Sequence, residues 1–459
     1  MSLIKSISGI RGTIGGAPGN TLSPLDIVKF SSAYATWLKA RTTNRKIVVG
    51  RDGRMSGAMV QGIVVNTLMS MGFDIEDCGL STTPTIEMAV VSENAAGGII
   101  LTASHNPKEW NALKLLNEKG EFISAADGAT LLSIAEKEEF DFANVDDLGK
   151  LILNTNSLAK HIQAVVSYPL VNVNKIKNKN FKIVVDAINS SGAFALPELF
   201  KSIGVTDFTI LNSEMHGNFA HNPEPLAQHL TELCSEVVKQ KADLGIAVDP
   251  DVDRLCFVCE DGVLFGEEYT LVSIADYFLQ HRKGNTVSNM SSTRALRDVT
   301  IQHGGEYFSS AVGEVNVVNK MKEVNAVIGG EGNGGIIVPD LHYGRDALIG
   351  VALFLTYLAN KNISASELKK TYPEYFMSKN KIDLKEGIQA ESIFKIIQTQ
   401  YSNEQINTED GLKVDFADGW VHLRTSNTEP IIRVYSESKS EQKANNLAQQ
   451  IIKDIKALF

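Results

Sequence analysis

The feature that most constrains the fold is a repeated alternation of short apolar runs with longer segments of helical periodicity. The apolar runs that predict buried strands lie at residues 45–50, 97–101, 181–186, 243–248 and 326–328. The spacing of apolar residues from Gly57 to Met71 predicts a helix directly after the first of these strands. Strand–helix alternation with short connections is typical of α/β units whose strands are largely parallel. The sequence therefore predicts an α/β fold.

Turns and charged segments divide this pattern into four parts. The strand–helix pattern is interrupted at three places. The first is an Asp- and Glu-rich stretch at 137–150, the second is a turn at Glu260–Gly262, and the third is the end of a helix at Lys369–Pro373. The final part differs from the rest, because its pattern predicts a helix, two strands and a last helix. The two strands are Trp420–Arg424 and Pro430–Tyr435, and the last helix begins near Ser440. We therefore expect four domains, at residues 1–150, 151–258, 259–368 and 369–459.

Composition excludes several classes of protein. The chain has 459 residues, 43% of them hydrophobic, which suits several folded cores and argues against a disordered protein. Its formal net charge of −10 disfavours a general nucleic-acid binder, since neutralising phosphates requires a basic surface. The sequence shows neither a secretory signal nor a run of 18 apolar residues, so we expect a cytoplasmic protein without membrane contact. The four cysteines are then reduced, with Cys256 and Cys259 inside a buried strand.

Two polar clusters directly follow predicted strands, at the edge where α/β sheets bind ligands. Thr102–Pro107 contains Ser104 and His105, with Lys114 a short loop away. Asp249–Arg254 contains three aspartates at alternate positions followed by an arginine. Carboxylates crowded in this way suit a hard divalent cation, because their mutual repulsion is costly without one. The alternative interpretation is a solvated acidic turn. The Arg254 guanidinium can bind phosphate or carboxylate with two parallel hydrogen bonds.

Two further loops contain groups suited to sugar and phosphate. Gly329–Gly335 contains a G-x-G-x-x-G pattern, but an extended segment follows it, which excludes a dinucleotide-binding helix. Its Glu331 and Asn333 could bind hydroxyl groups, or the loop could be a tight turn between strands. Arg424–Arg433 places small hydrogen-bonding residues between two arginines, which is typical either of an anion-binding loop or of a polar hairpin turn.

Taken in this order along the chain, the four clusters resemble the α-D-phosphohexomutase family, which includes phosphoglucomutases, phosphomannomutases and phosphoglucosamine mutases. The resemblance extends from Ser8–Gly12 to the C-terminal loop. It implies a heart-shaped enzyme with three similar α/β domains and a smaller α+β C-terminal domain. It also implies that a phosphate on Ser104 is transferred to a hexose or hexosamine phosphate, and that a sugar 1,6-bisphosphate acts as intermediate and activator.

The resemblance assigns a role to each candidate residue. It implies Mg²⁺ held by phosphorylated Ser104 and by Asp249, Asp251 and Asp253. Residues that line the reaction centre would be Arg11, His105, Lys114 and Arg254, with Lys114 a candidate proton carrier. Sugar hydroxyls would bind Glu331 and Asn333, and the non-reacting phosphate would bind Arg424, Ser426, Asn427, Thr428 and Arg433. Whether the enzyme is a monomer or a dimer is left open.

The sequence also departs from the family pattern. The sugar loop lacks a histidine that some relatives have, so its proton-transfer role is unassigned. Pro250, Val252 and Ala112 replace smaller residues or glycine, and none of these changes removes a metal ligand. The form of the loop found here, Gly330-Glu-Gly-Asn-Gly-Gly335, occurs in branches that act on glucosamine phosphate or on mannose and glucose phosphates. We favour glucosamine phosphate, with mannose or glucose phosphate as the alternative.

Two other functions compete with this interpretation. Asp249-Pro-Asp251 resembles the nucleophile motif of haloacid-dehalogenase-like phosphatases, but Asp253 stands where that family has Thr or Val. A non-catalytic sugar-phosphate binder would be favoured by the loss of catalytic groups, yet Ser104 and the aspartates are present.

Overall fold

The structure is a computed structural model that describes residues 3–6, 9–384, 389–425 and 431–458. These residues form two compact units. The first unit contains the chain up to Thr270 together with Gly334–Leu368, and the second contains Leu271–Asn333 together with the chain from Lys369 onward. The four domain ranges expected from the sequence stay a prediction.

A seven-stranded mixed sheet begins the first unit. Its strands are β1 (Leu3–Ser6), β2 (Gly9–Thr13), β3 (Lys46–Arg51), β4 (Asp74–Leu80), β5 (Gly97–Leu101), β6 (Trp110–Leu116) and β7 (Leu151–Leu153). Their order in the sheet is β1-β2-β6-β5-β3-β4-β7, and the last four are parallel. The helices of this segment are α1 (Pro24–Lys39), α2 (Gly57–Ser70), α3 (Thr83–Ser92) and α4 (Ala125–Lys137). Buried residues of β3 and β5 form part of the core, as their apolar sequences predict.

A second sheet follows in the same unit. Its strands are β8 (Lys182–Asp186), β9 (Asp207–Leu211), β10 (Leu244–Val248) and β11 (Leu255–Cys259), in the order β11-β10-β8-β9. The first three of these strands in sequence are parallel, whereas β11 is antiparallel to β10. The helices of this segment are α5 (Ser157–Ser167), α6 (Val173–Lys179), α7 (Gly192–Ile203) and α8 (Thr231–Gln240). Cys256 and Cys259 are free thiols buried in β11, which confirms their expected place in a strand.

The next segment contributes to both units. It contains α9 (Glu267–His281), β12 (Asn285–Asn289), α10 (Ala295–Gln302), β13 (Tyr307–Ser310), α11 (Glu314–Glu323) and β14 (Ala326–Glu331). Parallel pairing joins β13, β12 and β14 in the second unit. The chain continues through β15 (Gly335–Ile337), α12 (Ala347–Lys361) and α13 (Ala365–Lys369). Residues 347–359 of α12 are all buried in the first unit, so this helix needs no polar face.

The C-terminal segment is an antiparallel sheet with two helices. It contains β16 (Phe376–Asp383), α14 (Ala390–Gln400), β17 (Gln405–Asn407), β18 (Leu412–Phe416), β19 (Gly419–Thr425), β20 (Ile431–Ser438) and α15 (Glu441–Lys456). The strand order is β16-β20-β19-β18-β17, and Ser440 caps α15. The sequence predicted β19 and β20 but not the other three strands. Among all the helices described, not one combines the length and apolarity needed to span a membrane.

Candidate active site

Ser104 lies in the loop that follows β5, and its backbone adopts a left-handed conformation. Its φ is +48°, which is unfavourable for a residue with a side chain, so the surrounding contacts must hold it there. The Ser104 N–H donates to Thr102 Oγ1 at 2.9 Å, and its Oγ donates to Asp249 Oδ2 at 2.6 Å. The sequence predicted that both clusters follow strands, and the structure brings them into direct contact.

The Arg54 guanidinium holds the serine loop in place. It is 1% exposed, and its Nε donates to Asp52 Oδ2 at 3.0 Å. Its other nitrogens donate to four loop carbonyls, those of Ser104, Asn106, Pro107 and Trp110. Asp52 in turn accepts a hydrogen bond from Thr102 Oγ1 at 2.6 Å. The conformation of the loop is therefore fixed by a buried ion pair at the end of the neighbouring strand β3.

Three aspartates converge in the loop that follows β10. Asp249, Asp251 and Asp253 are fully buried, and one carboxylate oxygen from each lies within 4.8 Å of the others. Between them, Val252 has a φ of +62°, which is a strained conformation for a β-branched residue. This turn directs all three carboxylates toward one point, as their alternate spacing predicted.

The free oxygens of these aspartates suit a hard divalent cation. The Oδ1 atoms of Asp251 and Asp253 are buried, and the described residues offer them no hydrogen-bond donor. Burial and the neighbouring Asp253 and Asp251 carboxylates raise the pKa of Asp249 well above its usual range. An all-oxygen donor set with excess negative charge fits Mg²⁺ or a similar ion.

Three groups bind the remaining oxygens of Asp251 and Asp253. Lys114 Nζ lies 2.7 Å from Asp251 Oδ2 and 3.4 Å from Asp253 Oδ2. Thr83 Oγ1 donates to the same Asp251 oxygen at 2.5 Å, and Arg345 Nη2 donates to Asp253 Oδ2 at 2.7 Å. Burial opposes the charge on Lys114, but Asp251 and Asp253 outweigh it and raise its pKa. Lys114 is therefore protonated at neutral pH.

Arg11 and Arg254 are the two arginines that the sequence predicted for the reaction centre. Arg11, on β2, donates to Asn106 Oδ1 at 2.7 Å, and burial and nearby Arg254 lower its pKa to about 10. Arg254 Nη1 lies 3.1 Å from Glu224 Oε1. His105 Nδ1 lies 3.5 Å from Ser104 Oγ. Burial, Arg254 and Arg11 hold the pKa of His105 well below its usual range, so its imidazole is neutral.

Glu331 and Asn333 lie in the second unit, at the turn between β14 and β15. Asn289 Nδ2 donates to Glu331 Oε1 at 2.9 Å, and the Gly313 N–H donates to the same oxygen at 3.1 Å. Asn333 Nδ2 lies 3.4 Å from Glu331 Oε2. The turn joins two strands and opens no helix, which confirms that it is not a dinucleotide-binding loop.

Arg424 and Arg433 occupy opposite positions on β19 and β20, at the base of the last loop. Arg424 Nε forms an ion pair with Asp410 Oδ2 at 2.8 Å, and Arg433 Nη1 donates to Tyr435 Oη at 3.4 Å. The Val312 N–H also donates to Asp410 Oδ2, at 2.9 Å. The other expected phosphate ligands, Ser426, Asn427 and Thr428, lie outside the described residues.

Arg54, Thr83 and Arg345 were not identified from the sequence. A usable signal existed for Arg54, because Arg51-Asp-Gly-Arg54 follows a buried strand just as the serine and aspartate clusters do. Arg345 lies directly before the cap of a buried helix, and Thr83 begins another helix. Their long-range contacts with the aspartate loop leave no local sequence pattern.

Comparison with known proteins matches four successive stretches of the chain to the four domains of one family. Residues 3–142 match alpha/beta/alpha domain I of phosphoglucomutase/phosphomannomutase, and residues 159–262 and 266–375 match domains II and III. Residues 378–454 match the C-terminal domain of the same family.

Full-length relatives agree with these matches. A Thermococcus kodakarensis protein named phosphoglucomutase/phosphomannomutase is 34% identical over 96% of this chain and 97% of its own. A Sulfurisphaera tokodaii protein named phosphoglucosamine/phosphogalactosamine mutase is 33% identical over 99% of both. The X-ray structure of a phosphoglucomutase/phosphomannomutase family protein from Burkholderia thailandensis superimposes with a TM-score of 0.85 at 25% identity, covering 99% of this chain and 98% of that one. The chain therefore belongs to the phosphoglucomutase/phosphomannomutase family of phosphohexomutases and has its four-domain α/β fold.

Proposed function

We propose that this chain is a phosphoglucosamine mutase that interconverts glucosamine 6-phosphate and glucosamine 1-phosphate. The observation that carries the proposal is the contact of Ser104 Oγ with Asp249, within a group of three buried carboxylates. A hydroxyl held beside a divalent-cation site suits a serine that accepts and returns a phosphoryl group.

We infer that Mg²⁺ is held by Asp249, Asp251, Asp253 and the phosphate on Ser104. The donor atoms support this assignment, because two buried carboxylate oxygens have no donor among the described residues. When bound, the ion would offset the negative charge of the transferring phosphoryl group. Lys114 and Arg345 keep the Asp251 and Asp253 carboxylates at their positions.

In the forward half-reaction, the bond between phosphorus and Ser104 Oγ breaks and a bond forms between phosphorus and the free sugar hydroxyl. The hydroxyl proton must leave and Ser104 Oγ must gain one, so the site needs an acceptor and a donor. Neutral His105 is suited to accept a proton, and protonated Lys114 is suited to donate one. Arg11 and Arg254 contribute positive charge where the phosphoryl group carries its negative charge.

The other site residues predicted from the sequence would bind the rest of the substrate. We assign the sugar hydroxyls to Glu331 and Asn333, and the non-reacting phosphate to Arg424 and Arg433 together with the loop residues Ser426, Asn427 and Thr428. The half-reaction produces a sugar 1,6-bisphosphate, which must turn over before its second phosphate returns to Ser104. The same bisphosphate would phosphorylate an enzyme that has lost its phosphate.

The identity of the sugar is supported by the names of relatives. The Sulfurisphaera tokodaii protein is named for amino-sugar phosphates, and several archaeal relatives at 30–32% identity are named probable phosphoglucosamine mutases. The Thermococcus kodakarensis relative favours the alternative, a phosphomannomutase/phosphoglucomutase.

Two experiments test the proposal. Peptide mass mapping after incubation with a sugar 1,6-bisphosphate should find one stable phosphate on Ser104, absent from Ser104→Ala and present in the control Ser92→Ala at the exposed end of α3. Phosphate on Asp249 would instead indicate a phosphatase. Mutase assays with Mg²⁺ on glucosamine, N-acetylglucosamine, glucose and mannose phosphates should show at least a tenfold kcat/KM preference for glucosamine phosphate, about 1.4 kcal/mol. A preference for glucose or mannose phosphate would favour the alternative, and wild-type turnover that survives Ser104→Ala would refute the mechanism.

A further inference from the structure

A second buried group of titratable side chains lies in the first unit, apart from the reaction centre. It consists of His161, His342, Asp346 and Glu87, which we call the histidine–carboxylate cluster. His161 Nε2 lies 2.9 Å from Asp346 Oδ2, and His342 Nε2 lies 3.3 Å from the same oxygen. His342 Nδ1 lies 3.3 Å from Glu87 Oε2. None of these side chains takes part in the mechanism proposed above.

The cluster lies beside two contacts that hold the aspartate loop. Asp346 is flanked by Arg345, whose guanidinium binds Asp253, and by Ala347, whose N–H donates to the Val252 carbonyl at 3.2 Å. Asp346 also caps α12, because its Oδ1 accepts the N–H groups of the next turn. The position of the Arg345 backbone is therefore set by the same residue that binds both histidines.

The other side of the cluster belongs to α3. Its first residue, Thr83, binds Asp251 through its hydroxyl and through its N–H, which donates to the Asp251 carbonyl at 2.9 Å. Two and four residues later on the same helix, Thr85 contacts His161 Nδ1 at 2.9 Å and Glu87 contacts His342. The cluster thus joins two of the three elements that hold Asp251 and Asp253 from outside the aspartate loop, the third being β6 with Lys114.

His342 is one of two links between these elements, because His161 also joins Thr85 on α3 to Asp346, at 2.9 Å from each. Both ring nitrogens of His342 face carboxylate oxygens, one on α3 and one at the start of α12. Burial opposes a charged ring, but Asp346 and Glu87 outweigh it and raise the pKa of His342 to about 10. A doubly protonated ring donates a hydrogen bond to Asp346 and forms an ion pair with Glu87, whereas a neutral ring would lose the charge that attracts both carboxylates.

We propose that the histidine–carboxylate cluster is a positioning device for the metal loop, in which His342 ties α3 to the start of α12 so that Thr83 and Arg345 hold Asp251 and Asp253 in the geometry that binds the cation. This inference rests on the proposed magnesium site. The competing interpretation is a second metal site, because His161, His342 and Asp346 offer ligand atoms within 4.8 Å of one another. The 2.9 Å separation of His161 Nε2 from Asp346 Oδ2 is that of a direct hydrogen bond, which favours the positioning role.

The test compares Mg²⁺ binding to the full-length wild-type chain and to His342→Gln, measured by isothermal titration calorimetry at pH 7. Glutamine is uncharged and cannot reach both carboxylates with the same geometry, so we expect Mg²⁺ affinity to fall five- to tenfold. The matched control is His303→Gln, which removes a histidine–aspartate pair (2.7 Å to Asp276) in the second unit, and it should leave the affinity unchanged. Equal Mg²⁺ affinity in wild type and folded His342→Gln would overturn the proposal.

Two further measurements test the same proposal with other variants. If His342→Gln does not fold, the isosteric Glu87→Gln removes one of the bridged charges, and it should weaken Mg²⁺ binding at least twofold; an unchanged affinity would overturn the proposal. To test for a second metal site, zinc is titrated into Asp251→Asn, in which the aspartate loop has lost one of its carboxylates. Stoichiometric zinc binding that disappears in Asp251→Asn/His342→Gln would replace positioning with a second metal site. A wild-type chain that binds Mg²⁺ but turns over none of the sugar phosphates would refute the proposed function alone, since the comparison of affinities still decides the positioning role.

Discussion

Replacing Arg54 by lysine tests whether a buried guanidinium sets the geometry of Ser104, the proposed phosphoryl carrier. The residue is charged in both proteins, so the substitution changes the number and direction of donors rather than the charge. In the wild type, Arg54 makes five hydrogen bonds, one to Asp52 and four to carbonyls of the loop that contains Ser104. Because the side chain is 1% exposed, water cannot replace the bonds that are lost.

The size of the effect follows from the donor count. Lysine has three donors on one nitrogen, so at least two of the five bonds disappear, and each hydrogen bond to a charged group contributes about 1.5–3 kcal/mol. We therefore expect Arg54→Lys to lower the free energy of unfolding by about 3–6 kcal/mol. Ser104 is held in a left-handed conformation that relaxes when these bonds are lost. A displacement of about 1 Å in a reacting group lowers the rate on the order of 100-fold, and we expect that loss in kcat.

Urea unfolding followed by tryptophan fluorescence and steady-state mutase kinetics measure the two effects. Arg41→Lys is the matched control, because Arg41 is 48% exposed and forms a single ion pair with Asp127. It should unfold within about 0.5 kcal/mol of the wild type and retain full kcat. The reasoning is refuted if Arg54→Lys unfolds within about 1 kcal/mol of the wild type and retains more than a third of its kcat.

Three other substitutions probe separate parts of the chain. Thr83→Val removes the hydroxyl that binds Asp251, so Mg²⁺ affinity measured by calorimetry should fall about tenfold, and an unchanged affinity would contradict this. At pH 6.5, His342→Gln should be less stable than the wild type. The protonated His342 ring, whose pKa is raised to about 10, stabilises the fold fully below about pH 6.5, and this contribution disappears as pH rises through about 10. The difference from wild type in urea unfolding, at most about 5 kcal/mol, should therefore shrink by pH 9.5, and one that grows with pH would refute the assignment. Trp420→Phe removes the 2.8 Å hydrogen bond to buried Glu437 and should destabilise the chain by about 2 kcal/mol in thermal unfolding, whereas a cost below about 0.5 kcal/mol would show that the bond contributes little.

The parts of the fold that the sequence predicted best are those with strong local patterns. Strands β5 and β10 are apolar along their whole length because both faces are covered, and the sequence bounds match the structure to within a residue. The chemistry of Ser104 and Asp249 follows from the same pattern, since polar residues directly after buried strands lie at one edge of a sheet. This rule places each residue at the edge of its own sheet, but β5 and β10 belong to different sheets, so the rule predicts neither the proximity of Ser104 and Asp249 nor their hydrogen bond.

The parts that the sequence did not predict depend on long-range contacts or on weak patterns. Strand β16 is mostly half-exposed, and Lys379, Asn380 and Lys381 interrupt any apolar alternation, so its pairing with β20 decides its structure. Thr83 is separated from Asp251 by 168 positions, and nothing in the local sequence of either residue indicates the other. Propensity and periodicity act over a few residues, whereas these contacts depend on how sheets and helices pack.

The geometry of the aspartate loop depends both on its local sequence and on long-range contacts. Its local sequence places three like charges on alternate residues, and crowded carboxylates repel one another unless other groups offset them. The compensating cations come from distant positions, Lys114 on β6 and Arg345 before α12, and each binds an oxygen that the loop itself leaves without a donor. The strained φ of Val252 persists because these contacts determine the loop from several sides. A cation site of this kind therefore cannot be read from the D-x-D-x-D spacing alone, because its geometry is a property of the packed unit.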